Sequence, residues 1–145
     1  MTCTFFGHRD FSAKNIGILR EVVADLIKNH GVNEFFVGHQ GNFDKCVVTV
    51  LREMKVLFPH IKYAIVLSTI EKDALPLYCQ GCETMVFEDF GKVPPKFRIA
   101  RRNLWMLKKS DWVVGYIVRT HTTGGAAQYF EMAQKQKKNL INIAN

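Results

Sequence analysis

Apolar positions along this chain alternate between two rhythms: short unbroken runs, and longer stretches where they return every three or four residues. Thr2 to Phe6, rich in threonine and aromatic residues, predicts a first strand. Gly7-His8-Arg9-Asp10 breaks it, and Ser12 is placed to cap a helix. Ile16, Leu19, Val23, Leu26 and Ile27 share one face of that helix, which stops near Asn29-His30-Gly31. Glu34 to Val37 predicts the second strand, running straight into Gly38-His39-Gln40-Gly41. The next helix carries Phe43, Val47, Val50, Leu51, Met54 and Leu57 on one face and is closed by Pro59. Tyr63 to Leu67 is apolar throughout, as suits a strand covered on both faces.

The second half is less regular. Ser68 to Gly81 contains Pro76 and a cysteine pair and predicts a loop with a helical turn. Thr84 to Phe87 predicts a fourth strand, and the loop from Glu88 to Pro95 leads into a helix. Spacing sets Phe97, Ala100, Leu104 and Leu107 inward on it, with Arg98, Arg101, Arg102, Lys108 and Lys109 elsewhere. Trp112 to Val118 predicts the fifth strand, Ala126 to Lys137 the last helix, and Leu140 to Ile143 the sixth strand. Strands alternating with helices predict an α/β fold: one Rossmann-like, three-layer domain around a mainly parallel sheet. The 145 residues suit a single domain, and they contain no repeat, low-complexity tract or interdomain linker.

An open parallel sheet holds its ligand beyond the carboxyl ends of its strands. Three strands here end in glycine-bearing loops: Gly7-His8-Arg9, Gly38-His39-Gln40-Gly41, and the Thr123-Gly124-Gly125 turn, which Thr122 precedes. The last of these combines hydroxyls with a glycine pair and opens a helix. Its free N–H groups and dipole favour an anion, though a tight turn without a ligand has the same sequence. Arg9 is placed to meet a phosphate bidentately, or to pair with Asp10 at the surface. His8 can donate to phosphate or ribose, or serve its own loop. Asp44, at a helix start where a carboxylate is favoured in any case, can also accept from ribose hydroxyls. Arg102 and Asn103 either reach the site or belong to a solvated face. Tyr116 either stacks on a base or ends its strand.

The hydrophobic fraction of 48% and charged fraction of 23% are those of a soluble protein. No apolar run approaches the roughly 20 residues that span a bilayer, and the amino-terminus lacks the pattern of a signal peptide. A cytoplasmic location without a membrane partner follows as the expectation. The net charge of +7 suits anionic ligands, nucleotides first and single-stranded DNA as a weaker class. Of four cysteines, Cys79 and Cys82 form a C-x-x-C and Cys3 and Cys46 stand alone. A structural zinc site wants a second pair or spaced histidines, so reduced thiols are expected, with no metal and no cofactor. Trp105, Met106, Tyr129, Phe130 and Met132 exceed what one core face needs and predict a homo-oligomer.

Gly7-His8-Arg9, Gly41-Asn42-Phe43-Asp44 and the block from Arg102 to Glu131 resemble the SLOG superfamily of Rossmann-like proteins. That superfamily includes the Lonely-Guy phosphoribohydrolases, the DNA-processing protein A family and sensor domains for nucleotide-derived signals. The resemblance covers nearly the whole chain and is nearest to small standalone members of the YpsA group. It implies binding of a nucleotide or ADP-ribose-derived ligand by Gly7, His8, Arg9, Gly38, Gly41, Asp44, Asn103, Tyr116, Thr122, Thr123, Gly124 and Gly125. From the Lonely-Guy pattern it implies Arg102 and Glu131 as the pair for N-glycosidic cleavage. The proline, third glycine and threonine of that family's turn are Thr123, Ala127 and Gln128 here, and its lysine is Asn103. The altered turn points to a sensor or sequestering protein, with the nucleotide N-glycosidase as the alternative.

Overall fold

Parallel strands cannot be joined by tight turns, so each return crosses a face of the sheet and carries a helix with it. The computed structural model of the chain describes residues 1–71, 75–118 and 125–144. It contains strands β1 (Thr2–Gly7), β2 (Glu34–Val37), β3 (Lys62–Leu67), β4 (Thr84–Val86), β5 (Trp112–Tyr116) and β6 (Asn139–Asn142). Between them run helices α1 (Ile16–Asn29), α2 (Gly41–Leu57), α3 (Arg98–Lys109) and α4 (Gly125–Lys135). Every strand pairing is parallel, in the order β4-β3-β2-β1-β5-β6. The fold is α/β and Rossmann-like, with a sheet that is parallel throughout where a mainly parallel one was expected.

Successive residues of a strand face opposite layers, and β1 shows the consequence. Cys3 and Phe5 enter one core with Leu19 and Val23 of α1 and Val47 and Leu51 of α2. Phe6 enters the other with Met106 and Leu107 of α3 and Tyr129 and Ala133 of α4. Thr4, fully buried between neighbouring strands, donates its hydroxyl to the Phe36 carbonyl at 2.9 Å. A buried hydroxyl is tolerated because it is paired.

Several element ends differ from expectation: β1 runs on to Gly7, β3 starts at Lys62, and α4 spans Gly125–Lys135. β4 stops at Val86, and Phe87 instead buries its ring in the α3–α4 core. β5 stops at Tyr116, where its partner β1 ends at Gly7. Beyond that point Asn142 takes over: its side chain accepts from the Ile117 N–H and donates to the Ile117 carbonyl, each at 3.1 Å. The sixth strand runs one residue earlier than expected, and Leu57 lies 66% exposed at the end of α2, past the core.

The larger correction concerns α3. Phe97, Ala100 and Leu104 face solvent, while Arg102, Met106 and Leu107 are buried. Ile99, Arg102, Asn103 and Met106, at i, i+3, i+4 and i+7, form the stripe that faces the sheet's carboxyl edge. A polar stripe is inward here because it overhangs a cleft rather than a dry core. The expected oligomer-forming residues are likewise covered: Met106 and Tyr129 are buried, and Trp105, Phe130 and Met132 are half-buried within the α3–α4 layer. No helix among the described residues is long and apolar enough to cross a membrane.

The orientation of α3 has a measurable signature. Met106→Ala is expected to cost about 2–5 kcal/mol, as truncation of a buried methionine does. Leu104→Ala, at an exposed position, should stay within about 0.5 kcal/mol. Chemical denaturation of both variants checks this, and a larger loss from Leu104→Ala than from Met106→Ala would mean that α3 packs on its other face.

Candidate functional site

β1 lies at the point where the strand order reverses, with β2 on one side and β5 on the other. The loops leaving neighbouring strands diverge to opposite faces there and open a crevice. The crevice is a cleft of about 340 Å³. Gly7, the last residue of β1, and His8 and Arg9 after it line it on one side, and Gly38, Gln40 and Asp44 line it after β2. Ile99, Arg102, Asn103 and Met106 of α3 and Gly125, Ala126 and Tyr129 of α4 complete the wall.

Eight of the expected residues thus meet in one place: Gly7, His8, Arg9, Gly38, Asp44, Arg102, Asn103 and Gly125. Three others do not line the cleft. Gly41 lies beneath Arg9, with a φ of +85°; a Cβ there would stand 2.7 Å from Arg9 Cγ. Tyr116 packs behind the loop, its ring centroid 4.9 Å from Phe11 and 6.2 Å from His8. Glu131 is exposed and pairs with Lys135 one turn later at 3.4 Å. Thr122, Thr123 and Gly124 lie outside the described residues.

The centre of the site is a pair of opposite charges. Arg102 is 3% exposed. Its Nε donates to Asn103 Oδ1 at 3.1 Å, while its buried Nη1 has no partner among the described residues. Burial lowers the basicity of this guanidinium, and the nearby Asp44 carboxylate opposes that effect. Asp44 Oδ2 accepts the Gln40 N–H at 3.0 Å. Burial pushes the Asp44 carboxyl up to about 6, against the opposing pull of Arg102, of the Gln40 N–H and of Arg9. Gly38 lies between the two charges. A Cβ added to it would stand 2.9 Å from Asp44 Oδ2 and 3.1 Å from the Arg102 guanidinium carbon, so only glycine leaves both groups their places.

Sequence reasoning passed over the layer behind this pair. His39 is buried, and its Nε2 accepts the Ser68 N–H at 3.0 Å. That bond assigns the imidazole proton to Nδ1 and keeps the ring neutral. Burial, and then the Arg102 charge, lowers His39 to about 4. The Gln40 side chain donates to Ser68 Oγ at 3.0 Å, so His39, Gln40 and Ser68 tie the β2 loop to the end of β3. His39 stood in a glycine-flanked loop, which was a signal for it; nothing near Ser68 marked its role. Among the described residues no group of three or more His, Cys, Asp or Glu is arranged to hold a metal ion.

The Asp44 carboxyl should titrate with a midpoint of about 6 when followed by carboxyl-carbon NMR. Arg102→Met should raise that midpoint further, because the guanidinium pulls it down; an unchanged midpoint would separate the two groups. The folded value lies above the ordinary 3.8, so the fold holds this proton more tightly than the unfolded chain does. Stability therefore falls as pH rises from 3.8 through about 6. Asp44→Asn should gain on the native protein by an amount of order 2 kcal/mol between pH 4 and pH 7 in urea denaturation.

The chain matches no protein-family model and no curated protein, so the cleft is characterised by its own residues and their chemistry.

Proposed function

We propose that the chain binds a small phosphate-bearing nucleotide derivative, of the nucleoside monophosphate or ADP-ribose class, in the cleft at the switch point of the sheet. The observation that carries this reading is the buried Arg102, whose Nη1 has no partner among the described residues and whose helix stripe faces the cleft. A buried guanidinium with spare donors is costly to maintain, and a phosphate is the partner whose geometry it matches. Arg9, on the opposite loop, adds a second cation at the cleft. Asp44 supplies a carboxylate that can accept from ribose hydroxyls. The volume falls within the range of small-molecule sites. The role that follows is that of a sensor or a sequestering protein for such a signal.

Calorimetric titration with AMP, ADP-ribose and cyclic dinucleotides tests this. Arg102→Met should weaken the best ligand by roughly ten- to a hundredfold, since a hydrogen bond to a charged group is worth about 1.5–3 kcal/mol. Glu131→Ala, altering an exposed helix residue, should leave affinity unchanged. Equal affinity of the Arg102→Met variant and the native protein would remove the phosphate from this part of the cleft.

A second reading, cleavage of a nucleotide N-glycosidic bond, is favoured by one observation: a carboxyl raised to about 6 inside a cleft suits general acid–base work near neutral pH. Water would add to the anomeric carbon, the bond to the base would break, and the base would leave with a proton. In this reading Asp44, rather than Glu131, handles the protons. Mass spectrometry of the free fraction would then show base and ribose phosphate, and Asp44→Asn would abolish turnover while retaining binding. Turnover lost in Glu131→Ala instead would restore the assignment implied by the Lonely-Guy pattern.

A further inference from the structure

The loop after β3 contains a group that the cleft does not use. Leu77–Cys79 forms a single 3-10 turn, and the chain then reverses through Gln80 and Gly81 to Cys82. Gln80 has φ −65° and ψ 136°, Gly81 has φ +78°, and the Cys82 N–H donates to the Cys79 carbonyl at 3.3 Å. These are the angles and the closing bond of a type II turn with the two cysteines at its first and last positions. Such a turn holds its end Cα atoms within about 7 Å, the span that a disulfide bridges. All four cysteines of the chain are free thiols in this structure.

The two thiols are not equivalent. Cys79 is buried, and its thiol is raised to about 11 by burial first, then by Cys82 and by Asp44. Cys82 is half-buried and carries a guanidinium on its sulfur. Arg52, from α2, donates to Cys82 Sγ through Nε at 3.1 Å and through Nη2 at 3.0 Å. The same Nη2 reaches the Tyr78 carbonyl at 2.9 Å and also the Gln80 carbonyl. The Tyr63 hydroxyl lies 3.8 Å from Cys82 Sγ. A thiolate is the reactive form of cysteine, and paired N–H donors from an arginine are what a sulfur anion accepts.

We infer that Cys82 is a site of oxidation by hydroperoxides, with Cys79 as its resolving thiol and Arg52 as the residue that positions and activates it. The Cys82 thiolate attacks one oxygen of the peroxide, the O–O bond breaks, and the other oxygen leaves as water after taking a proton. Cys82 is then a sulfenic acid. The Cys79 sulfur attacks it, the S–O bond breaks, and the hydroxyl leaves as a second water with the Cys79 proton. The dithiol has lost two electrons and the peroxide has gained them. Cys3 and Cys46 are buried and their thiols are raised by that burial, so they form an internal control. The turn packs on α2, the helix whose first turn contains Asp44.

Peroxide titration of the full chain, followed by denaturation, alkylation and mass spectrometry, tests the inference. One equivalent of hydrogen peroxide should lower the mass by about 2 Da, two hydrogens, with Cys79 and Cys82 alone protected from alkylation. Cys79→Ser should stop at a sulfenic acid on Cys82 that dimedone traps. Arg52→Ala, which removes both N–H donors from the sulfur, should slow oxidation about tenfold, the worth of roughly one hydrogen bond to a charged group. Arg52→Lys, which retains charge but not the fork, should fall between the two if both variants keep the native circular dichroism. Oxidation of Cys3 or Cys46 as fast as Cys82 would overturn the inference. So would a sulfenic acid on Cys82 that Cys79 never resolves, or natively folded Arg52 variants that react at the native rate.

Discussion

β1 is hydrogen-bonded along both edges and covered on both faces, and the other elements take their places from it. Chain leaving β1 crosses to β2 over the α1–α2 layer, and β5 pairs with its other edge beside the α3–α4 layer. Connections that depart in opposite senses cannot close over the strand end they share. The cleft is therefore a product of topology before it is a product of side chains. The last residue of β1 and those just after it fall into it whatever their chemistry, and here they are glycine, histidine and arginine.

Topology creates the opening, but charge gives it character. Burying Arg102 and Asp44 at one site costs desolvation on both sides, and their mutual attraction only partly offsets it. A hydrophobic pair would have been easier to fold around. The arrangement is further constrained by Gly38, which keeps the β2 loop clear of both groups, and by the neutral His39 braced on Ser68 behind it. Side chains held this closely are fixed in place by their surroundings, and the Arg102 Nη1 among them has no partner among the described residues.

Arg52 and Arg102 show how two arginines on helices of one small domain diverge in purpose. Arg102 is enclosed and lines the cleft from α3. Arg52 is exposed and spends its donors on a type II turn and one sulfur. Each is defined by what its planar fork meets, and neither role can be transferred to lysine without losing geometry.

The strand–helix alternation was legible in the chain because hydrophobic period is a local property, and β2 runs from Glu34 to Val37 as its apolar residues predict. Glycine-ended loops after β1 and β2 were legible for the same reason, and with the parallel-sheet rule they located the cleft. What the chain alone did not contain was rotation and reach. α3 has apolar residues on two sides, so spacing chose the Leu104 side, while the overhang of the cleft selected the stripe through Arg102 and Met106. Glu131 read as a site residue by position, yet α4 turns it to solvent beside Lys135. The pairing of Asp44 with Arg102 and of Cys82 with Arg52 joins residues far apart in sequence. Only the packing of helices on the assembled sheet brings such groups within hydrogen-bonding or electrostatic range, and no local pattern encodes that distance.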